Sequence, residues 1–143
     1  MARPPAVIDT NVVVSGLLTG EPTAPTCRIL NAMLAGRFFY LLTEDLLAEY
    51  RRVLLRPRIQ VLHGLSGDEV DTVLLDIAAN GGFRTPVPPP EPPPDPGDQH
   101  LWDLLAAEPG AVLVTGDGNL LERPPAFARL LTPAAFARLW GIA

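Results

Sequence analysis

The chain alternates short apolar runs with stretches in which apolar residues recur every three or four positions. Short β-branched runs indicate buried strands, and the three-to-four spacing indicates amphipathic helices. The predicted strands are residues 6–9, 38–42, 83–87, 111–115 and 129–131, and 12–14 start the element after the first strand. The predicted helices are residues 23–36, 44–55, 66–80 and 98–107, with a terminal helix from Pro133. Because strand and helix alternate, we predict an α/β fold with a parallel sheet and helices on both faces.

Polar residues and prolines predict where the helices begin and end. Thr43 is a good N-cap for the second helix, and Pro57 is expected to end that helix. Ser66 and Glu69 have the spacing of a capping box at the start of the next helix. Residues 116–119 (Gly-Asp-Gly-Asn) predict a turn after the fourth strand.

Residues 86–97 form a proline-rich segment that contains eight of the 17 prolines. Such a segment is extended and resembles polyproline II, because proline cannot donate to a helix or a central strand. Two hypotheses remain open for it: a proline-motif ligand for a partner domain, or a stiff loop that leads the chain to the next helix. The loop hypothesis is favoured. We expect residues 1–143 to form one domain that includes this loop.

The composition is modestly acidic and argues against several kinds of chemistry. The chain has 16 Asp and Glu residues against 11 Lys and Arg, a net charge of −5, and all 11 cations are arginines. Without lysine, a Walker-type phosphate loop and Schiff-base catalysis are excluded. Cys27 is the single cysteine, which excludes an internal disulfide and argues against a cysteine metal site. The apolar runs are too interrupted to span a membrane, and no signal peptide precedes the first strand, so we expect a cytoplasmic protein.

Two aspartates directly follow predicted strands. Asp9 follows the first strand, and Asp117 follows the fourth strand in the segment that begins at Thr115. In open parallel sheets, ligands and chemistry gather outside the carboxyl ends of the strands. Asp-Gly pairs are also ordinary turn chemistry, which would explain Asp117 alone. The presence of Asp9 beside it favours a functional site.

Further acids lie on or next to predicted helices. Glu49 lies near the apolar face of helix 44–55, where a salt bridge to a nearby arginine is the alternative to a catalytic role. Asp98 starts the helix after the proline-rich segment, where aspartate is also a routine N-cap. Asp95 and Asp103 are further candidates in this region.

The remaining candidate site consists of oxygen donors. His100 and His63 are far apart in sequence, and no cluster with zinc-ligand spacing or serine-hydrolase motif is present. Carboxylate and amide oxygens suit Mg²⁺ or Mn²⁺, and two such ions about 4 Å apart can activate water for attack on a phosphodiester. The candidate donors are Asp9, Glu49, Asp98, Asp117, Asn11 and Asn119.

Three segments together resemble a PIN domain, and more narrowly the PIN-family toxins of prokaryotic toxin–antitoxin pairs. They are Val-Ile-Asp-Thr-Asn-Val at 7–12, Leu-Leu-Ala-Glu-Tyr-Arg-Arg-Val-Leu at 46–54 and Leu-Val-Thr-Gly-Asp at 113–117. The resemblance covers nearly the whole chain. It implies a three-layer α/β/α fold with a central parallel sheet of about five strands. It also implies a Mg²⁺- or Mn²⁺-dependent endoribonuclease that forms homodimers or higher homo-oligomers and is inhibited by a small antitoxin protein.

The resemblance also assigns roles to residues. Asp9 matches the first acid of the family, Glu49 the helical glutamate, Asp98 the third acid and Asp117 the acid after the fourth strand, and all four would hold metal. Asn11 and Thr115 would support them. Asp95 is an alternative third acid, because relatives often have several consecutive acids there. Asn119 stands where many members have another aspartate, which would weaken binding of a second ion.

Two other functions compete with this hypothesis. A phosphatase of the haloacid-dehalogenase type would need an acid where Asn11 stands and a lysine, which the chain lacks. A catalytically weak or silent PIN module that binds protein or RNA is the stronger alternative, since Asn119 and the acidic charge are compatible with it. The arginines at 51, 52, 56 and 58 either contact phosphates or form a solvated helix end, and both interpretations stay open.

Overall fold

Five short parallel strands form the centre of the computed structural model, which describes residues 3–142. They are β1 (Ala6–Ile8), β2 (Leu41–Leu42), β3 (Gly82–Phe83), β4 (Val112–Val114) and β5 (Arg129–Leu131). Strands β1, β4 and β5 form one sheet in the order β1-β4-β5, and β2 pairs with β3. A parallel bridge between Ala6 and Tyr40 joins the two sheets, which gives the order β3-β2-β1-β4-β5.

Helices connect these strands. They are α1 (Thr10–Leu18), α2 (Pro25–Leu34), α3 (Glu44–Leu54), α4 (Pro57–His63), α5 (Gly67–Asn80), α6 (Gln99–Ala107), α7 (Gly118–Glu122) and α8 (Pro133–Leu139), with a 3₁₀ helix at Pro96–Asp98. The two predicted caps are confirmed. Thr43 Oγ1 accepts a hydrogen bond from Leu46 N at 3.1 Å, and Ser66 and Glu69 form the complete capping box.

The helices cover both faces of the sheet. From β1 the chain runs outward through β2 to β3, then returns to β4 and continues in the opposite direction to β5. Because crossovers between parallel strands are right-handed, the two directions place their connecting helices on opposite faces of the sheet. Helix α2 packs against α1, α5 and α8, while α6 packs against β1 and α3. Every residue of β1 and β4 is buried, as expected for strands covered on both faces. The predicted α/β fold is confirmed.

Several element boundaries differ from the predictions. Residues 83–87 contribute only the end of β3, because Arg84 N makes the last bond to Leu42 O and the following prolines cannot donate to a strand. Pro57 does follow the end of α3, but it also occupies the first turn of α4, where its missing N–H is tolerated. Residues 116–119 were expected to form a turn, whereas Asp117 caps the short helix α7.

Most of the proline-rich segment belongs to a stretch, residues 84–95, that crosses the surface without helix or strand. It is held at two points: Val87 N donates to Asp103 O at 3.2 Å, and Glu91 Oε1 accepts from Ala126 N at 2.7 Å. The segment therefore delivers Asp98 to the carboxyl ends of β1 and β4. None of the helices within residues 3–142 has the length and apolar content that crossing a membrane requires.

Candidate active site

Asp9 lies directly after β1, and its carboxylate is held by three donors. Oδ1 accepts from Thr10 N at 2.8 Å, while Oδ2 accepts from Thr115 Oγ1 at 2.8 Å and from Asn11 Nδ2 at 3.1 Å. The residue is only 6% exposed. Asp9 is also the N-cap of α1, so the start of that helix and the carboxylate fix each other's position.

Burial raises the pKa of Asp9 above its ordinary value. The hydrogen bonds from Thr115 and Thr10 oppose this shift, and the negative charges of Glu49 and Asp117 add to it. The negative charge of Asp9 is not compensated by these contacts, because its hydrogen-bond donors are neutral and its charged neighbours are acids. Such a group favours a nearby cation.

The end of β4 is tied to the end of β1 by polar contacts. Thr115 is fully buried, and besides donating to Asp9 its Oγ1 accepts from Asp117 N at 3.0 Å. Asn11 Oδ1 accepts from Gly116 N at 2.9 Å. The Asp117 carboxylate in turn accepts from Asn119 N at 2.9 Å. These bonds place Asp9 and Asp117 side by side at the carboxyl ends of neighbouring parallel strands.

Glu49 reaches the same place from α3. Its Oε2 accepts a short hydrogen bond from Thr10 Oγ1, and its Oε1 lies 3.5 Å from Nη2 of Arg52. The Arg52 side chain is 63% exposed, so this ion pair is weak and does not by itself explain the inward position of Glu49. The next residue, Tyr50, is fully buried and donates its hydroxyl to Ile8 O, which anchors α3 at the end of β1.

Asp98 supplies a fourth acid from the 3₁₀ helix. Burial raises its pKa to about 6, and the charges of Asp9, Asp95, Asp117 and Glu49 contribute in that order. Among the described residues its side chain makes no capping hydrogen bond to α6. The capping role in this segment belongs to Asp95, whose Oδ1 accepts from Gly97 N at 2.9 Å. The carboxyl of Asp98 is therefore free to act in the site.

The four acids share one open cleft of about 630 Å³. Its lining combines them with small polar residues, apolar residues and one arginine: Asp9, Thr10, Asn11, Val14, Ser15, Leu18, Thr19, Glu49, Val53, Arg56, Asp98 and Asp117. Asp95 and Asn119 lie instead in a neighbouring depression of about 370 Å³, which Asp98 and Asp117 also border. The structure thus brings five of the predicted oxygen donors together and places Asn119 at one side.

The chemistry of these residues fits a hard divalent cation. All the donors are oxygens. Burial raises the pKa of Asp98, the neighbouring acids add to the rise, and a bound positive charge would balance their repulsion. Within residues 3–142, no three His, Cys, Asp or Glu side chains are already arranged as a metal centre. Binding would therefore require the carboxylates to draw closer together.

Two residues of the site had no assigned role in the sequence. Thr10 bonds to Glu49, and His100 Nε2 lies 3.3 Å from Glu49 Oε2. Arg56, one of the four arginines for which phosphate contact and a solvated helix end were both open, lines the cleft. The contacts of Thr10 and His100 join residues far apart in the chain, so only the packing of α3 against α1 and α6 reveals them. The one local signal was that His100 falls two positions after Asp98, on the first turn of the helix that follows it.

A protein-family model described as PIN domain matches residues 5–119. The match contains β1 through β4 and all four acids of the cleft. The chain belongs to the PIN domain family. PIN domains are commonly nucleases that act on nucleic acid and typically use divalent metals. Comparison with curated proteins and with solved structures gave no match.

Proposed function

We propose that this PIN domain is a Mg²⁺- or Mn²⁺-dependent endoribonuclease that hydrolyses RNA phosphodiester bonds. The observation that carries the proposal is that Asp9, Glu49, Asp98 and Asp117 come from four separate elements and line one open cleft. Four acids that share a cleft with one arginine, Arg56, are costly to hold together for structural reasons alone. A metal-dependent hydrolytic site would account for all four acids.

In this proposal the side chains of the site divide into metal ligands and residues that support them. Asp9, Asp98, Asp117 and Glu49 would hold the ions, which when bound supply an activated water and stabilise the leaving oxygen. Thr115 and Thr10 keep the Asp9 carboxylate in place through their hydrogen bonds. Asn119 carries no charge and lies in the neighbouring depression, so we expect a second ion to bind more weakly than the first.

An RNA-cleavage assay with Mn²⁺ or Mg²⁺ tests this function. Asp9→Asn should reduce metal-dependent cleavage by more than about 100-fold, because it removes a charged ligand at the most buried position. Asp45→Asn is the matched control: Asp45 is exposed on α3 and does not line the cleft, so its variant should cleave like the wild type. Equal cleavage by wild type and Asp9→Asn would indicate a contaminating nuclease and overturn the proposal.

Thermal unfolding separates this enzyme from a catalytically weak or silent PIN module that acts through protein or RNA binding. Mn²⁺ should raise the melting temperature of the wild type and not that of Asp9→Asn, since a ligand at 100 times its Kd stabilises by about 2.7 kcal/mol. Metal-dependent stabilisation without cleavage of any RNA offered would favour the silent module.

We further propose that the protein is the toxin of a toxin–antitoxin pair and acts on RNA in the cytoplasm. The resemblance of residues 7–12, 46–54 and 113–117 to such toxins supports this role, as does the openness of the cleft to a long substrate. In this proposal residues 1–143 act as one domain, form homo-oligomers and are inhibited by a small antitoxin protein. Expression should arrest growth, and a neighbouring small gene should relieve the arrest. Arrest by Asp9→Asn as well would reject nuclease toxicity.

A further inference from the structure

His100 is a partly buried histidine beside Glu49, and both of its ring nitrogens are buried. Its side chain is 17% exposed, and among the described residues neither ring nitrogen has a hydrogen-bond partner. Buried polar atoms are nearly always paired, because leaving a donor or acceptor unsatisfied costs free energy. The unpaired ring therefore requires an explanation.

A partner for the ring lies within reach. Nε2 of His100 is 3.3 Å from Oε2 of Glu49, a distance that permits a hydrogen bond although the N–H is not aligned with the oxygen. A small rotation of the ring would make Nε2–H a donor to this carboxylate. The neutral imidazole is sufficient for that role, since one of its two nitrogens always carries a hydrogen.

The other contacts of Glu49 show what such a bond would do. Oε2 already accepts the hydroxyl of Thr10, whereas Oε1 contacts only the exposed Arg52 at 3.5 Å among the described residues. A second donor at Oε2 would fix the carboxylate by one oxygen and leave Oε1 available to the cleft. Since His100 on α6 follows Asp98 by two residues, the same contact would tie Glu49 on α3 to the part of the chain next to Asp98.

We propose that His100 is a positioning residue that donates a hydrogen bond from Nε2 to Glu49 and holds this acid in register with Asp98. The inference rests on the proposed nuclease function for its consequence, but the contact itself can be measured without activity.

The chain contains an internal reference for a histidine of purely structural role. Nε2 of His63 lies 2.8 Å from Leu54 O, and its Nδ1 accepts from Leu65 N at 2.9 Å. Both nitrogens of His63 are satisfied by backbone groups remote from the acids of the cleft. A histidine that serves only packing would be expected to resemble His63, and His100 does not.

Nitrogen-15 NMR of the two imidazoles in the metal-free protein, at one mildly alkaline pH, tests the contact. His63→Gln assigns the two sets of signals. Glu49→Gln should shift the ring nitrogens of His100 and leave those of His63 unchanged, because it weakens the acceptor of one ring only. Glu44→Gln, on the exposed start of the same helix, should shift neither. Unchanged His100 signals in Glu49→Gln would overturn the proposal.

Kinetics test the consequence. His100→Leu removes the donor and should lower kcat for RNA cleavage by roughly 10- to 100-fold with little change in KM, as for other groups that orient a site ligand. His100→Gln keeps an N–H near the position of Nε2 and should recover most of the loss. His63→Gln controls for loss of a partly buried histidine and should lower the melting temperature without lowering kcat. Equal kcat for wild type and His100→Leu, or equal loss in the Leu and Gln variants at unchanged melting temperature, would overturn the positioning role.

The NMR and kinetic measurements distinguish a failure of the His100 proposal from a failure of the proposed nuclease function. If the wild type cleaves no RNA while Glu49→Gln shifts the His100 ring, the nuclease function is rejected and the contact stands. If the wild type cleaves RNA and the ring does not respond to Glu49→Gln, the nuclease function stands and the role of His100 is rejected.

Discussion

Burial and neighbouring negative charges oppose the ionisation of individual carboxyl groups in the cleft. The pKa of Asp98 is raised from 3.8 to about 6, first by burial and then by the neighbouring acids. The folded protein therefore binds this proton more tightly than the unfolded chain does. By linkage, the Asp98 contribution favours folding at low pH and is lost as the pH rises from about 4 through 6.

Removing this charge should stabilise the metal-free protein. We expect Asp98→Asn to raise the free energy of unfolding at neutral pH by about 1 kcal/mol, a value reduced because solvent screens the half-exposed carboxyl. The gain should shrink as the pH falls through 6, where the wild-type carboxyl takes up its proton. Urea unfolding across this pH range is the measurement.

Asp103→Asn is the control for that experiment. Asp103 lies on α6, the helix that follows Asp98, but does not line the cleft, so its substitution should leave the pH dependence of unfolding unchanged. If Asp98→Asn were equally destabilising at every pH, the carboxyl would have a structural role instead, and the cost of burying its charge among other acids would not determine the effect.

At the level of elements, two buried tyrosines anchor helices to other parts of the fold. Tyr50 on α3 donates to Ile8 O at the end of β1, beside the site. Tyr40, next to β2, donates to Ile77 O on α5 at 2.6 Å, away from the cleft. Both side chains are fully buried, so the pair compares the same chemical group in two locations.

Tyr50→Phe and Tyr40→Phe should each lower the free energy of unfolding by about 1–3 kcal/mol, because each leaves a buried carbonyl without its partner. Tyr50→Phe alone should also reduce RNA cleavage, since Glu49 is the adjacent residue and moves with α3. Denaturant unfolding and single-turnover cleavage measure the two effects. Loss of cleavage in both variants to the same extent would mean that stability, and not the position of α3, limits activity.

The sequence predicted correctly those elements for which several local patterns indicate the same structure. Helix α3 has an N-cap, an apolar stripe and a following proline, and its observed bounds, Glu44–Leu54, differ from the prediction by one residue. Helices α4 and α7, with seven and five residues, are too short to establish a helical period, and their first positions hold turn-forming residues. Short elements of this kind are fixed by tertiary contacts.

From the sequence, the acids of the candidate site and two of its supporting residues, Asn11 and Thr115, could be predicted, whereas the contacts of Glu49 could not. Asp9 and Asp117 follow apolar strands, which is a local pattern, and parallel topology then brings them together. The sequence could not decide which of Asp95 and Asp98 caps the start of a helix and which is available to the site, since both are aspartates near a helix start. The bond from Thr10 to Glu49 joins residues 39 positions apart and depends on how α1 packs on α3.

For the molecule as a whole, the proposed function requires an acidic protein to bind a polyanion. The net charge is −5, and the cleft contains four acids but a single arginine, Arg56. The preceding arginines are already engaged: Arg51 pairs with Asp71 at 2.8 Å, and Arg52 lies 3.5 Å from Glu49. Under the proposed function, Arg56 is thus the side chain in the cleft best suited to contact an RNA phosphate.

Arg56→Gln should raise KM for RNA by roughly 3- to 10-fold with kcat nearly unchanged, because a phosphate contact positions the substrate without taking part in the reaction. It should also lower the slope of log affinity against log salt concentration by about 0.7, the value for one phosphate contact on a single strand. Arg58→Gln is the matched control, since Arg58 is exposed on α4 two residues away and does not line the cleft. Filter binding in Ca²⁺ over a range of salt concentrations gives the slope, and the cleavage assay gives KM. Identical slopes for the two variants would place the RNA backbone elsewhere on the protein, because the two arginines differ mainly in whether they face the acids.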